Sequence, residues 1–578
     1  MSFCFSITPF SVTPIVYQRV IEYTTSRIAA YSVIFAYIIR VFHIKFDIHS
    51  SVFPDFFRNF FHCFSINTGL FGHLMLCLYQ RIIYEEFSYM SAFSDTLSQF
   101  IDDKKIKVYS MAKYCDTDRS TMYKFISGKR NPPSDEIIKK MAQFMHLSPM
   151  EWQKFKESWD VARIGADAYY KRKSVESFIC NFPDQPSSEF CGCSFTPDVT
   201  YAENRSDCIS LTSLQHINYY VHQMILSEAD RDSGEISLFL QPDYKFLFNL
   251  LASLNPSDSL KISQIVCVGT ETTFTDDHQL TNLKYLHSVF PLYMAGHDYS
   301  LYYYYDKIEA HYHSFNLFPC MILTSDAALL CSSDYQTGIF FRSAEVVRML
   351  HGIYTSYQDQ CALFFTPAAL TPENHAVVIG SMFDSAFTEN DLIGIQPETC
   401  LTPFFTGDLL RAIFNYEIPQ ATSILPLAEQ AFQMNMYKIQ NQQFFICSTY
   451  EGLLHFVRTG RTDEIPEIFY HPLTIAQRIH VLNEVCKCCE SGAYRFLQKP
   501  LNHLPANLHF CIRGNFGTMI FKNNVGEILV LNINETKLVE IFRDYLENME
   551  ENCFYSIEES ISMLQQIIEH LKKMTDTD

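Results

Sequence analysis

Apolar residues recur every three or four positions between residues 93 and 164, which is the spacing of short amphipathic helices. The first predicted helix carries an apolar stripe of Phe93, Leu97, Phe100 and Ile101. Further helices are predicted at Tyr109–Cys115, from Arg119, and at about Ser134–Met145. A fifth opens with a capping box at Ser148-Pro149-Met150-Glu151, where proline takes the first helical position. The pattern therefore predicts an all-α bundle of five helices.

The third predicted helix lies in the segment TDRSTMYKFISGKRNP, residues 117–132. Its inner face carries Met122, Phe125 and Ile126 at spacing i, i+3 and i+4. Its outer face is polar and cationic, with Arg119, Ser120, Tyr123 and Lys124. Gly128 is the predicted C-cap, and the prolines that follow prevent the helix from continuing. This pattern is typical of a helix whose outer face enters another molecule.

The second and third helices are joined by the turn Asp116-Thr117-Asp118, and together they resemble the helix-turn-helix of the Xre-type, phage-repressor-like regulators. The resemblance is carried by Met111-Ala112, Arg119-Ser120-Thr121, Met122, Phe125 and Gly128-Lys129-Arg130-Asn131-Pro132. The family usually has glycine in the turn where this chain has Asp116. Aspartate tolerates left-handed backbone angles better than most residues, so the turn is expected to form.

The resemblance implies a set of DNA-contacting side chains on the third helix and just after it. These residues are Arg119, Ser120, Thr121, Tyr123, Lys124, Ser127, Lys129 and Arg130. Arg119 would read guanine, and Lys124 would reach a base or a phosphate one turn later. Ser127, Lys129 and Arg130 would contact the phosphate backbone. Such domains usually bind two half-sites, so a homodimer is implied.

After the bundle, the chain is predicted to continue as a large α/β (α+β) region. Residues 166–207, which include Lys171-Arg172-Lys173 and several prolines, are expected to form a linker. From about residue 280 the order helix, four strands, helix occurs twice, which predicts an internal duplication. The predicted divisions are an uncertain extension at 1–89, a DNA-binding domain at 90–165, one lobe at 208–370, a connecting segment at 371–440 and a second lobe at 441–578.

The segment CMILTSDAALLCSS, residues 320–333, weakly resembles one half of the phospholipase D fold. Enzymes of that family carry His-x-Lys-x-x-x-x-Asp in each half. The set is absent around Leu317–Thr324 and from the second copy. The resemblance therefore implies a catalytically dead relative that is used for binding.

Composition changes this picture in two respects. The net charge of -20 excludes general coating of nucleic acid. Positive charge is nevertheless concentrated in one segment, where the basic residues are Lys104, Lys105, Lys107, Lys113, Arg119, Lys124, Lys129, Arg130, Lys139 and Lys140.

The 19 cysteines are scattered, which favours reduced thiols in a cytoplasm. Neither Cys191 and Cys193 nor the cluster Cys486, Cys488 and Cys489 has the spacing of a zinc site, so no metal is expected.

The first 89 residues are rich in aromatic residues and poor in charge. Their best apolar run, Ile28–Ile39, is shorter than the roughly 20 residues that a membrane-spanning helix needs. A membrane anchor, an extra domain and a stretch upstream of the true start all remain open. Met90-Ser91-Ala92 directly precedes the first clear helix, which favours the last interpretation and argues against a membrane.

Candidate catalytic chemistry is sparse. His297-Asp298, His311 and His313 stand without a nucleophile motif or a phosphate loop, so no catalytic residue, cofactor or enzymatic activity is expected. We interpret the chain as a cytoplasmic, sequence-specific regulator of transcription that binds double-stranded DNA. Its C-terminal region would sense a small-molecule or protein effector or form the dimer. A DNA-tethered enzyme of the phosphodiesterase-like class and a membrane-associated regulator are the alternatives.

Overall fold

The computed structural model describes most of the chain in two compact units, one ending at Ala162 and the other beginning at Arg163. The described residues are 91–182, 206–255, 260–269, 274, 280–306, 317–370, 390–462, 465–505 and 508–575. The predicted extension at 1–89, the pair Cys191 and Cys193, and His311 and His313 all lie outside these ranges.

In its described part, the first unit is a bundle of five helices. They are α1 (Ala92–Asp103), α2 (Val108–Tyr114), α3 (Arg119–Ile126), α4 (Asp135–Phe144) and α5 (Pro149–Ile164). Ser91 and Ser94 form a capping box at the start of α1, and Ser148 and Glu151 form one at the start of α5. The core contains the apolar stripes expected from the sequence, including Phe93, Leu97, Met111, Met122, Phe125, Ile138, Met141 and Phe155.

The second unit begins with a helix where a linker was predicted. This helix, α6 (Ala166–Cys180), buries Val175, Phe178 and Ile179 in the largest apolar core of the chain. The Phe178 ring lies 5.7 Å from that of Phe290 and 5.8 Å from that of Phe542. The prediction of a linker over residues 166–207 is therefore wrong for 166–180, because these side chains pack against elements far away in sequence.

The first sheet has eight strands, in the order β1-β7-β6-β5-β2-β3-β4-β8. The strands are β1 (Cys208–Leu211), β2 (Gly234–Phe239), β3 (Leu260–Gly269), β4 (Asp298–Asp306), β5 (Cys320–Leu323), β6 (Ala328–Cys331), β7 (Gly338–Phe341) and β8 (Ala362–Leu363). The helices between and after them are α7 (Leu214–Ala229), α8 (Lys245–Ser253), α9 (Thr281–Ala295) and α10 (Ala344–Gln358). Strands β2, β3 and β4 run parallel, and β5, β6 and β7 run antiparallel.

The second sheet has seven strands, in the order β9-β15-β14-β13-β10-β11-β12. The strands are β9 (Phe365–Ala369), β10 (Leu392–Gln396), β11 (Phe444–Thr449), β12 (Tyr494–Leu497), β13 (His509–Arg513), β14 (Phe516–Lys522) and β15 (Ile528–Ile533). The helices of this lobe are α11 (Gly407–Ile413), α12 (Ala421–Gln440), α13 (Tyr450–Thr459), α14 (Ile475–Glu490), α15 (Thr536–Glu547) and α16 (Ile557–Thr575).

The two sheets share one topology. Across each sheet, an edge strand is followed by three antiparallel strands and then by three parallel strands. In sequence order, β1 to β7 of the first sheet therefore correspond one by one to β9 to β15 of the second. The central antiparallel pair is β2 with β5 in one sheet and β10 with β13 in the other. Both sheets are therefore mixed, and the unit is an α+β structure with a repeated strand order.

The second lobe begins earlier than predicted. Strand β9 belongs to the second sheet, although residues 208–370 were predicted to form the first lobe. Strand β10 lies at the centre of the second sheet, although residues 371–440 were predicted to be a connecting segment and the lobe to start at 441. All five residues of β10 are buried. A strand buried on both faces shows no alternation of polar and apolar residues, so its pattern gave no signal.

A truncation in α6 tests whether this helix is an integral part of the second unit. We expect Phe178→Ala to lower the free energy of unfolding by about 3–5 kcal/mol, because it opens a cavity among packed rings. Urea unfolding followed by far-ultraviolet circular dichroism measures the change. The exposed Lys173 on the same helix provides the control, and Lys173→Gln should change the value by about 0.5 kcal/mol or less. Equal, small losses for both variants would show that α6 is a detachable linker after all.

Candidate nucleic-acid interface

Helix α3 is held in the bundle by one face. Met122 is 0% exposed and Phe125 is 1% exposed, while Ile126 is half-buried at the margin of the core. A helix turns 100° per residue, so fixing Met122 and Phe125 directs residues 120, 123 and 124 to the opposite side and places residue 119 on the flank. The burial pattern of α3 thus determines which side chains face outward.

The turn before α3 has the backbone conformation that the sequence predicted. Asp116 has a φ of 51°, in the left-handed region. The Thr117 amide donates to the Ala112 carbonyl at 2.9 Å, which closes the turn onto α2. The Asp116 carboxylate also accepts from Lys140 of α4 at 2.9 Å. The turn is therefore linked to α2 by a backbone hydrogen bond and to α4 by an exposed ion pair.

The start of α3 is capped by Asp118. Its carboxylate accepts from the Thr121 amide at 2.9 Å and from the Thr121 hydroxyl at 2.6 Å. These hydrogen bonds hold the pKa of Asp118 below its ordinary value. The Thr121 hydroxyl, predicted to contact DNA, is thus engaged inside the protein, and its side chain is half-buried.

The other seven predicted DNA-contacting residues are exposed. They are Arg119, Ser120, Tyr123, Lys124, Ser127, Lys129 and Arg130. The Arg119 guanidinium carbon lies 5.5 Å from the centre of the Tyr123 ring. A cation at this distance from an aromatic ring is attracted to its face, so the ring restricts the directions in which Arg119 extends.

The end of α3 is anchored to α5. Gly128 has a φ of 72°, and the Arg130 amide donates back to the Lys124 carbonyl at 3.2 Å. The Asn131 side chain donates to the Ala162 carbonyl at 2.9 Å, and the Trp159 indole donates to the Pro132 carbonyl at 3.0 Å. The basic pair at 129 and 130 is therefore held beside the end of α3 and does not lie on a free loop.

Some basic side chains of the bundle are ion-paired and others are not. Lys104, Lys139 and Lys140 form ion pairs with Glu151, Asp135 and Asp116 at 3.0, 2.6 and 2.9 Å. For Arg119, Lys124, Lys129 and Arg130, the part of the chain that the structure describes provides no carboxylate within ion-pair distance. We call these four side chains the cationic face. The face therefore combines exposure with positive charge that is not engaged in ion pairs among the described residues.

Among the described residues, the remaining candidates bring no reactive set together. His297 is 6% exposed, and burial holds its pKa below the ordinary value. Cys488 and Cys489 are buried on α14, where burial raises the pKa of each thiol to about 12. Over the described ranges, no three histidine, cysteine or carboxylate side chains are placed to hold a metal ion.

Two solved structures are similar to this chain at low identity. TrmBL2, described as an archaeal chromatin protein with a novel mode of DNA binding, is 10% identical over 44% of this chain and 87% of its own, with a TM-score of 0.18. Polyphosphate kinase from Porphyromonas gingivalis is 11% identical over 65% of this chain and 57% of its own, with a TM-score of 0.19. No family model and no curated protein matches the chain. TM-scores this low assign neither a fold nor a function.

A membrane-spanning helix would have to be both long and strongly apolar. Among the helices that the structure describes, none meets both conditions.

Substitutions at Asp116 test the backbone conformation on which the placement of α3 depends. We expect Asp116→Val to lower the free energy of unfolding by about 1–2 kcal/mol, because a branched side chain is disfavoured at positive φ. Asp116→Gly should change it by less than about 1 kcal/mol, since glycine accepts the conformation and only an exposed ion pair is lost. Both tryptophans of the chain, Trp152 and Trp159, lie on α5, so tryptophan fluorescence in urea reports on this bundle. A glycine variant as unstable as the valine variant would show that the ion pair with Lys140, and not the backbone angle, stabilises the turn.

Proposed function

We propose that residues 91–162 form a helix-turn-helix unit of the Xre type that binds double-stranded DNA in a sequence-specific manner, with α3 as its recognition helix. On this proposal the chain is a transcriptional regulator and carries out no reaction of its own. The observation that carries the proposal is the cationic face on and just after α3, which is exposed and has no ion pair among the described residues, whereas Lys104, Lys139 and Lys140 are paired.

Charge supports a local interaction with DNA. The chain has a net charge of -20, so the protein as a whole is repelled by a polyanion. Four exposed cations without an ion pair among the described residues, all on one short segment, give a site where phosphates displace counterions. The acidic remainder of the chain would limit binding at any other surface, which favours one defined orientation on the duplex.

The positions of the side chains on α3 support reading of bases. Arg119 and Ser120 lie in the first turn of the helix, and Lys124 lies about one turn later on the same outer side. The first turns of a recognition helix are the part that reaches base edges in the major groove. An arginine there, restrained by the Tyr123 ring, matches the two acceptors that guanine presents.

The basic pair after α3 supports contact with the phosphate backbone. Lys129 and Arg130 are exposed and follow the left-handed Gly128, and the chain beside them is tied to α5. Such a rigid, cationic end to a recognition helix suits contacts that position the protein and carry no sequence information.

The second unit would supply the dimer contacts and respond to an effector. Helix-turn-helix units usually bind as pairs to half-sites about one helical turn apart, so we propose a homodimer on a two-fold symmetric site. We propose that it acts in the cytoplasm. A small-molecule or protein effector would act through the α+β lobes.

The base-reading role is tested by selecting the preferred duplex from random sequences with the full chain and then comparing Arg119→Ala with the parent. We expect the variant to lose about 1–3 kcal/mol of discrimination at one base pair, because a bidentate contact with guanine disappears. Competition binding between the selected duplex and single-base variants measures the loss.

The backbone role is tested with Lys129→Ala in the same assay. We expect equal weakening on selected and random duplexes, and a salt dependence of log K that is flatter by about 1. Lys139→Ala is the matched control, because Lys139 is 61% exposed but already paired with Asp135, and its loss should change neither quantity. Identical losses for the variants at 119 and 129 on all duplexes would refute the assigned roles.

A further inference from the structure

The second lobe contains a cavity of about 360 Å³ on one face of its sheet. Strands β9, β10, β13, β14 and β15 form the floor, and α11 and α12 cover it with the segment around Cys400–Phe405. A cavity of this size is within the range that small organic ligands occupy.

The body of the cavity is apolar. Helix α12 supplies Ile424, Ala428, Ala431 and Phe432 to its roof. From α11 come Leu410 and Ile413, and from the floor come Leu392, Ile520 and Val530. Polar side chains line the rest of the cavity, and these groups would orient a bound ligand.

The pairing of β10 with β13 places the polar groups of the floor at two ends. Leu392 pairs with Arg513 and Ile395 with Phe510, so the next pair would be Gln396 with His509. Side chains of a strand alternate between faces, and the cavity accordingly receives residues 509, 511 and 513 of β13. The Arg513 end and the His509 end are four residues apart, which is roughly 13 Å along the strand.

One end of the cavity is cationic. Arg513 is half-buried, and its guanidinium has no carboxylate partner within ion-pair distance among the described residues. Lys438 of α12 lines the cavity nearby, is 1% exposed, and donates to the Asn390 carbonyl. Burial and the charge of Arg513 lower the pKa of Lys438 to about 8. The Asp391 carboxylate raises the pKa of Lys438, but Asp391 is itself paired with Arg543 at 3.1 Å.

The other end is polar and neutral. His509 is 7% exposed, and no described residue forms a hydrogen bond with its ring. Burial lowers its pKa to about 4, so the imidazole is uncharged at neutral pH. Thr518 and Asn532 are hydrogen-bonded to each other at 3.1 Å between the two ends. Among the described lining residues, the polarity is therefore asymmetric, with positive charge at one end only.

We propose that this cavity binds a small organic carboxylic acid with an aliphatic or aromatic body. The carboxylate would be held at Arg513, with Lys438 nearby, and the apolar body would lie beneath α12 toward His509. An anion at this end relieves the repulsion between two cations that are partly shielded from water, and a guanidinium binds a carboxylate through two parallel hydrogen bonds. Only the further role of this ligand as the effector rests on the proposed regulatory function.

The test uses the full chain without DNA, and its probes are octanoate and 1-octanol, which share the same eight-carbon body. Isothermal titration calorimetry should show one site for octanoate, with about tenfold or more higher affinity than for 1-octanol, because only the acid makes charge-assisted hydrogen bonds. Absence of binding of octanoate at millimolar concentration would overturn the proposal. Because DNA is absent, this result is independent of whether α3 binds a duplex.

Three variants assign the binding to this cavity. Arg513→Gln should reduce the affinity for octanoate to that for 1-octanol and leave 1-octanol unchanged, which also shows that the lobe is still folded. Ala431→Phe should fill the cavity and remove binding of both probes. Lys487→Gln, at a lysine on α14 that is 67% exposed and lies outside the cavity lining, should change neither. Octanoate affinity that is the same in Arg513→Gln as in the parent would refute the carboxylate site.

Discussion

The burial of Met122 and Phe125 is the constraint on which the rest of the first unit depends. These two side chains fix the rotation of α3 about its axis, and the helical period then places Arg119, Tyr123 and Lys124 outward. The positive φ of Asp116 fixes the entry into the helix, and the hydrogen bonds to α5 fix its exit. A short helix with eight residues would fray alone, so its definition comes from the packing and from both anchored ends.

The features predicted correctly from the sequence are those that depend on the local pattern of apolar and polar residues. The bundle core, the left-handed Asp116 and the order of elements from α9 to α10 and from α14 to α15 follow from helical spacing, turn chemistry and the succession of short apolar runs. The helix α6 was missed because its polar run at 171–173 looks solvated, whereas its buried residues find partners far along the chain, and Arg172 pairs at 2.8 Å with Asp544. Strand β10 was missed because it is buried on both faces. The cavity was missed since its lining is assembled by strand register from residues between 368 and 532.

The two lobes repeat one strand order but connect the equivalent strands differently. In the first lobe, β2 and β3 are joined through α8, which buries Leu247, Leu250 and Leu251 in the core. In the second lobe the equivalent connection between β10 and β11 is longer and contains α11 and α12. Helix α12 stands over the sheet and leaves space beneath it. The same strand order therefore yields a packed core in one lobe and a lined cavity in the other.

The central claim is that the outer face of α3 enters a DNA groove. Amide hydrogen exchange of the full chain, with and without its selected duplex, measures this most directly. The account predicts that peptides covering residues 116–132 exchange more slowly when the duplex is bound. Binding of the duplex with unchanged exchange in this segment, or failure to select any preferred duplex, would contradict it.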